Sequence, residues 1–123
     1  MVVRDVAALR GATTLDHDDR DEVLARTEEL MLAMFERNGL AEQDIVSLVF
    51  TATDDIHSAF PAEAARVAGI TNVPLLCARE LDIEGGIERC IRVLAHVWTD
   101  RPRSELRHPY LRGARQLRTD LPE

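Results

Sequence analysis

Between residues 20 and 39, apolar and polar positions follow a helical beat. Val23, Leu24, Thr27, Leu30, Met31, Met34 and Phe35 recur at spacings of three and four, which places them on one face of an α-helix. Asp16, Asp18 and Asp19 offer N-caps, and Asp21 and Glu22 suit the positive start of the helix dipole. Asn38-Gly39 supplies the stop. The pattern predicts one amphipathic helix of about five turns, packed by one face on a sheet. Its charged face (Arg20, Arg26, Glu28, Glu29, Glu36, Arg37) is left to solvent and to no function.

Elsewhere the beat shortens. Residues 2–9 form a short apolar run with β-branched members, read as a first strand that Gly11-Ala12-Thr13-Thr14 breaks. Residues 45–51 read as a buried strand. Residues 60–69 read as a short helix, with Pro61 near its first turn and Gly69 at its end. Residues 73–78 read as another short strand. In residues 90–99, Ile91, Val93, Ala95 and Val97 alternate with Cys90, Arg92, Leu94, His96 and Trp98. A helix after Gly85-Gly86 competes there, but period two and β-branching favour a strand. A turn starting at Ser104 and a last strand near 114–118 complete the chain. The order is strand, helix, strand, short helix and three strands: an α+β domain with a mixed sheet. One long helix covers only part of a sheet face, and oligomerisation is a natural way to bury the remainder.

Composition narrows the picture. The 123 residues suit one domain, 1–123, and 46% are hydrophobic, too many for a disordered chain. All 15 basic residues are arginine, against 22 acids, for a net charge of -7. That balance argues against nucleic-acid binding and against an acidic membrane surface. No run approaches the roughly 18 apolar residues of a membrane span. No basic-plus-apolar leader opens the chain, and Cys77 and Cys90 fit no metal spacing, so free thiols in a reducing cytoplasm are expected. The charge is uneven: residues 89–118 hold eight arginines with only Asp100 and Glu105 to oppose them.

The catalytic sets are thin. His17, His57, His96 and His108 are scattered, and no serine sits in a nucleophile elbow. No phosphate-binding glycine loop is present, and Asp54-Asp55 reads as a solvated turn. Neither a metal nor a cofactor is expected. What remains is arginine: Arg10 at a strand end, Arg66 at a helix end, Arg92 inside an apolar strand, and Arg118 near the C-terminus. Arginine forks match carboxylates. A structural Arg92–Glu80 ion pair is the plain reading of that couple. As a set, these arginines suggest a pocket for a small carboxylated ligand.

The landmarks then form an ordered series. Arg10-Gly11-Ala12-Thr13-Thr14 is followed by Phe60-Pro61-Ala62 with Arg66, Val73-Pro74, Cys77, Glu80, Asp82 and Gly85-Gly86. Cys90-Ile91-Arg92-Val93, Thr99-Asp100, Arg107-His108, Tyr110-Leu111 and Leu117-Arg118 come next. The series resembles the small mixed-sheet chorismate mutases, which differ from the all-helical ones, over almost the whole chain. The resemblance implies a homotrimer whose sheets form a pseudo α/β barrel, with active sites between subunits and no cofactor. It implies conversion of chorismate to prephenate, on the branch to phenylalanine and tyrosine. It assigns Arg10, Glu80, Arg92 and Tyr110 the polar work on one subunit. Phe60, Ala62 and Arg66 come from the neighbour, and Leu75, Leu76 and Cys77 line the pocket. Leu117 and Arg118 help to close it. Cys77 either donates weakly to the ring hydroxyl or packs. Where the family often has a lysine, this chain has Glu63, which is expected to weaken attraction for a dianion. Two rivals stay open: a non-enzymatic trimeric module that binds small carboxylates, and another small trimeric enzyme of the imine-deaminase type.

Overall fold

The computed structural model describes residues 4–118. The elements run β1 (Asp5–Thr14), α1 (Arg20–Asn38), β2 (Ile45–Ala52), α2 (Ala62–Val67), β3 (Leu75–Arg79) and β4 (Cys90–Thr99). Turns of 3-10 helix cover Glu42–Asp44, Arg103–Glu105 and Arg112–Leu117. The sheet order is β1-β4-β2-β3. Strand β4 runs antiparallel to both β1 and β2, while β3 runs parallel to β2. The architecture is the α+β mixed sheet that the pattern predicts.

Helix α1 starts and stops where its sequence dictates. The Asp19 side chain accepts from the Glu22 backbone N–H, and Gly39 adopts the left-handed conformation with φ 63° at the other end. Leu30, Met31 and Met34 of its apolar stripe cluster with Leu9, Leu48, Phe50, Val93, Ala95 and Val97 on one face of the sheet, and Val23 packs with Leu15 and Ile91. Strand β4 shows why period two was the right reading: Ile91, Val93, Ala95 and Val97 are buried under α1, while Leu94 and Trp98 are exposed on the opposite face. The buried Asn38 ties the helix end to the C-terminal segment. Its amide donates to the Met34 and Arg107 carbonyls at 2.8 and 2.9 Å, and its oxygen accepts from the Arg107 N–H at 2.8 Å.

Four expectations need correction. Strand β1 does not break at Gly11-Ala12-Thr13-Thr14; it continues to Thr14, paired rung by rung with β4. Residues 2–3 of the expected strand lie outside the described residues. Gly11 serves close approach instead: a Cβ there would meet the Pro109 carbonyl oxygen at 2.6 Å. The last strand near 114–118 is absent, and Arg112–Leu117 is 3-10 helix. Arg112 has φ 52°, which ends extended pairing. The fifth strand-like contact comes earlier, where Tyr110 bridges Ala12 in parallel. Strand β2 is buried on one face only: Ile45, Leu48 and Phe50 lie inward and Val46 is exposed at a bulge. The charged face of α1 is not simply solvated. Arg26 lies inward, donating to the Thr14 carbonyl at 2.5 Å and pairing with Asp16 and Glu22, while Glu29 holds Arg112 at 3.0 Å.

Candidate active site

The pairing register decides which polar residues share a face. Arg92 on β4 sits opposite Ala12 on β1 and Thr51 on β2. Arg10 sits opposite Leu94, two residues further along β4. Arg10 and Arg92 therefore project from the same face, the one that α1 leaves uncovered. Glu80 follows β3, its N–H held by the Ala52 carbonyl at 3.0 Å. That bond carries the carboxylate to Arg92.

Arg92 is held by a pair that does not satisfy it. Its Nε lies 3.3 Å from Glu80 Oε2, yet this buried nitrogen makes no hydrogen bond among the described residues. The Thr51 hydroxyl donates to that same Glu80 oxygen. The ion-pair reading of Arg92–Glu80 is thus observed, with donors left over. Glu80 neutralises the inner edge of the guanidinium, while the Arg92 side chain stays 39% exposed and lines a cavity. Beneath it, burial pushes the Cys90 thiol up to about 11, so that cysteine stays protonated near neutral pH.

Further along, the Tyr110 ring is buried with Ala12, Cys90 and Ala114, and Leu117 packs on that cluster. His108 Nδ1 accepts from the Arg10 N–H at 3.2 Å. Burial, then the charges of Arg10 and Arg118, hold the His108 imidazole below its ordinary value. The structure thus gathers Arg10, His108 and Arg118 in one electrostatic neighbourhood, with His108 neutral near pH 7.

The remaining candidates lie elsewhere in the chain. Leu75 and Cys77 face the α1 side and pack against the core, while Leu76 is exposed on the uncovered face. Cys77 lines a cavity of about 560 Å³ with Phe60, His57, Arg20 and Glu63. Arg92 and Glu80 line a second cavity of about 490 Å³. The two cavities share Thr53 and Asp54. Phe60 is 69% exposed, a large ring with no cover in the single chain, whereas Ala62 is buried. Arg66 is exposed at the end of α2. Arg92 and Glu80 thus share one cavity and Phe60 and Cys77 another, while Arg10 lines a third with Leu94 and His108.

Three features escaped the sequence reading. Thr51 orients Glu80, but only the register puts it on Arg92's rung. Asp55, read as a solvated turn, accepts from the Arg89 N–H at 2.9 Å and the Thr53 hydroxyl at 2.6 Å. Its neighbour Asp54 pairs with Arg79. Glu63 is not a bare acid: Arg20 grips it through both terminal nitrogens, Nη1 at 2.9 Å from Oε2 and Nη2 on Oε1. Among the described residues, no group of three or more His, Cys, Asp or Glu side chains could hold a metal ion. No helix among them is long and apolar enough to cross a membrane.

Known proteins resemble this chain in sequence and in fold. The family model for chorismate mutase type I matches residues 6–121. The chain belongs to the type I chorismate mutase family. The chorismate mutase of Thermus thermophilus is 47% identical over 117 residues, covering 94% of this chain and 96% of the relative. The chorismate mutase of Bacillus subtilis (strain 168) is 40% identical over 117 residues, covering 94% and 92%. Among solved structures, a chorismate mutase from Clostridium thermocellum superposes with a TM-score of 0.88 at 47% identity, covering 89% of this chain and 98% of that one. Both Arg10 and Arg92, with the helices and strands that place them, fall inside the stretch that matches the type I chorismate mutase family.

Proposed function

We infer that this protein is a chorismate mutase that converts chorismate to prephenate by an intramolecular rearrangement, ahead of phenylalanine and tyrosine. Arg92 carries the reading: a strand-borne guanidinium, paired with Glu80 on its inner edge and lining a cavity, in a chain of this family. The rearrangement breaks one C–O bond as one C–C bond forms, within a single molecule. It needs no nucleophile and no proton transfer. Two tasks remain for the protein.

The first task is to hold the flexible dianion in its compact, reactive conformer. Arg10 and Arg118 would grip a carboxylate, Tyr110 would orient the side-chain carboxylate, and Phe60 would wall the ring. The second task is to stabilise negative charge growing on the ether oxygen. A donor fixed before the reaction does this without reorganisation, and Arg92 would be that donor. Glu80, oriented by Thr51, would accept from the ring hydroxyl. Cys77 lies with Phe60 in its own chain, and would reach the ligand across a subunit boundary.

The assembly reading follows from the split between the Arg92 and Phe60 cavities. The uncovered sheet face exposes Val6, Leu94 and Trp98. A homotrimer closing into a pseudo α/β barrel would bury that face and bring Phe60, Ala62, Arg66, Leu75 and Leu76 of one chain towards Arg92 of the next. Each chain would act as one domain in a cytoplasmic enzyme, with no bound cofactor. The test is loss of chorismate absorbance with purified protein, with prephenate identified as the product. Turnover supports the reading. Folded protein that binds chorismate without consuming it would instead favour a carboxylate-binding module.

A further inference from the structure

At the rim of the Phe60 cavity stands an ion pair whose two members are unequally placed. The Arg20 side chain is 53% exposed and that of Glu63 only 28%. The cation is therefore the outward member. A guanidinium has five N–H donors, and the two bonds to Glu63 engage one on each terminal nitrogen. Three donors are left, on a plane that the two-bonded fork holds still.

Arg20 is also an odd choice for the helix itself. It is the first residue of α1, directly after the Asp19 cap. A positive charge there opposes the helix dipole, so local helix stability does not account for it. Glu63 feels a second cation as well, since Arg66 also lowers its carboxyl below the usual range, after the larger effect of Arg20. Two arginines thus face one glutamate. Arg20 and Arg79 balance Glu63 and Asp54 along the cavity lining, so within the Arg20–Glu63 pair an arriving anion first meets the more exposed Arg20 guanidinium.

We propose that Arg20 is a substrate-binding residue at the mouth of the Phe60 cavity, presenting its free N–H donors to a carboxylate of the incoming dianion. Glu63 fixes the plane of that guanidinium and tempers its charge. The proposal rests on the chorismate mutase reading and deepens it, by naming a cation that the ordered series of motifs does not contain.

The test is steady-state kinetics of the full chain with chorismate at low and high ionic strength. Arg20→Gln is expected to raise KM about tenfold with kcat little changed, the equivalent of one charge-assisted contact. Glu63→Gln is expected to lower KM about twofold at low salt, with the gain vanishing as salt screens the rim. Arg20→Lys, which keeps the charge, should recover most of the lost affinity. Arg4→Gln makes the same change in net charge at the distant Arg4–Asp44 pair, and should leave KM alone.

The opposite signs matter. If the pair were only a clamp between α1 and α2, Arg20→Gln and Glu63→Gln would lower the melting temperature alike, and KM would stay put or rise in both. Either result overturns the proposal. Should Arg20→Gln fail to fold, a rise in KM for Glu63→Gln would still overturn it, and a salt-sensitive fall would support it. Wild-type protein without turnover would overturn the functional reading itself, whereas active wild type with an unchanged KM in Arg20→Gln would overturn only the role of Arg20.

Discussion

Arg92 sits in β4 between apolar Ile91 and Val93, with its Nε 3.3 Å from the Glu80 carboxylate. A charge set in an apolar strand is costly unless it is paired, and Glu80 supplies that pair. Arg92→Lys keeps the charge but loses the fork and the reach of the delocalised plane. Turnover is expected to fall by roughly 100-fold to 1,000-fold, the range for losing one donor to a developing oxyanion. Circular dichroism should show an unchanged fold. A variant with near-full kcat would remove Arg92 from the mechanism. Replacement of Arg92 by citrulline, which keeps the shape and removes the charge, would separate the two contributions. His108 offers a second handle. Its folded value lies below the ordinary 6.5 because burial and then Arg10 and Arg118 disfavour the imidazolium. The folded state thus prefers the neutral ring. Its contribution to stability is complete above 6.5 and is lost as pH falls from there through the lowered folded value. Urea unfolding across this window should show a drop in the wild type that His108→Gln lacks. Curves that stay parallel would refute it.

At the level of elements, the C-terminal segment is held against β1 by backbone bonds. The Ala12 N–H donates to the Pro109 carbonyl at 3.0 Å, and the Leu111 N–H donates to the Ala12 carbonyl at 2.8 Å. Only a glycine at 11 lets that segment lie so close. Gly11→Ala would drive a methyl group into the Pro109 carbonyl oxygen and the Leu30 side chain. A destabilisation of about 1–3 kcal/mol is expected, as for other overpacked sites. Since Tyr110 lies between the two backbone bonds, KM should rise as well. Stability intact in Gly11→Ala would mean that the segment can shift at no cost. The motif landmark Arg10-Gly11-Ala12-Thr13-Thr14 was legible in the sequence, but its role was not. Glycine reads locally as a strand breaker. Its use for tertiary approach depends on residues 98 positions further along.

For the whole molecule, one face of the sheet is buried under α1 and the other carries Val6, Leu94 and Trp98 in the open. Assembly by that face makes a direct prediction. Leu94→Asp places a charge in the middle of it, and a buried unpaired charge is strongly disfavoured. Light scattering should show the wild type as a trimer and the variant as a smaller species, with turnover lost because the chains separate. A variant that assembles and turns over normally would exclude this face from the interface. The net charge of -7 does not oppose an anionic ligand. The acids cluster in the first half of the chain, while Arg10 and Arg92 project from the uncovered face.

The chain's own pattern determined α1 with both caps, the alternating strand β4, the α+β class and the ordered landmarks of the family. These depend on neighbours within a few residues, where spacing and capping chemistry act directly. Tertiary structure alone decided the rest. It extended β1 through a glycine and turned the last expected strand into 3-10 helix. It put Thr51 on Arg92's rung and Glu80 within ion-pair distance of it, and it set Cys77 on the other face. It also joined Arg20 to Glu63 across 43 positions. Each of these outcomes depends on strand register and on packing between distant segments. A single-residue step in register flips every side chain to the opposite face, and no local spacing records which step is taken.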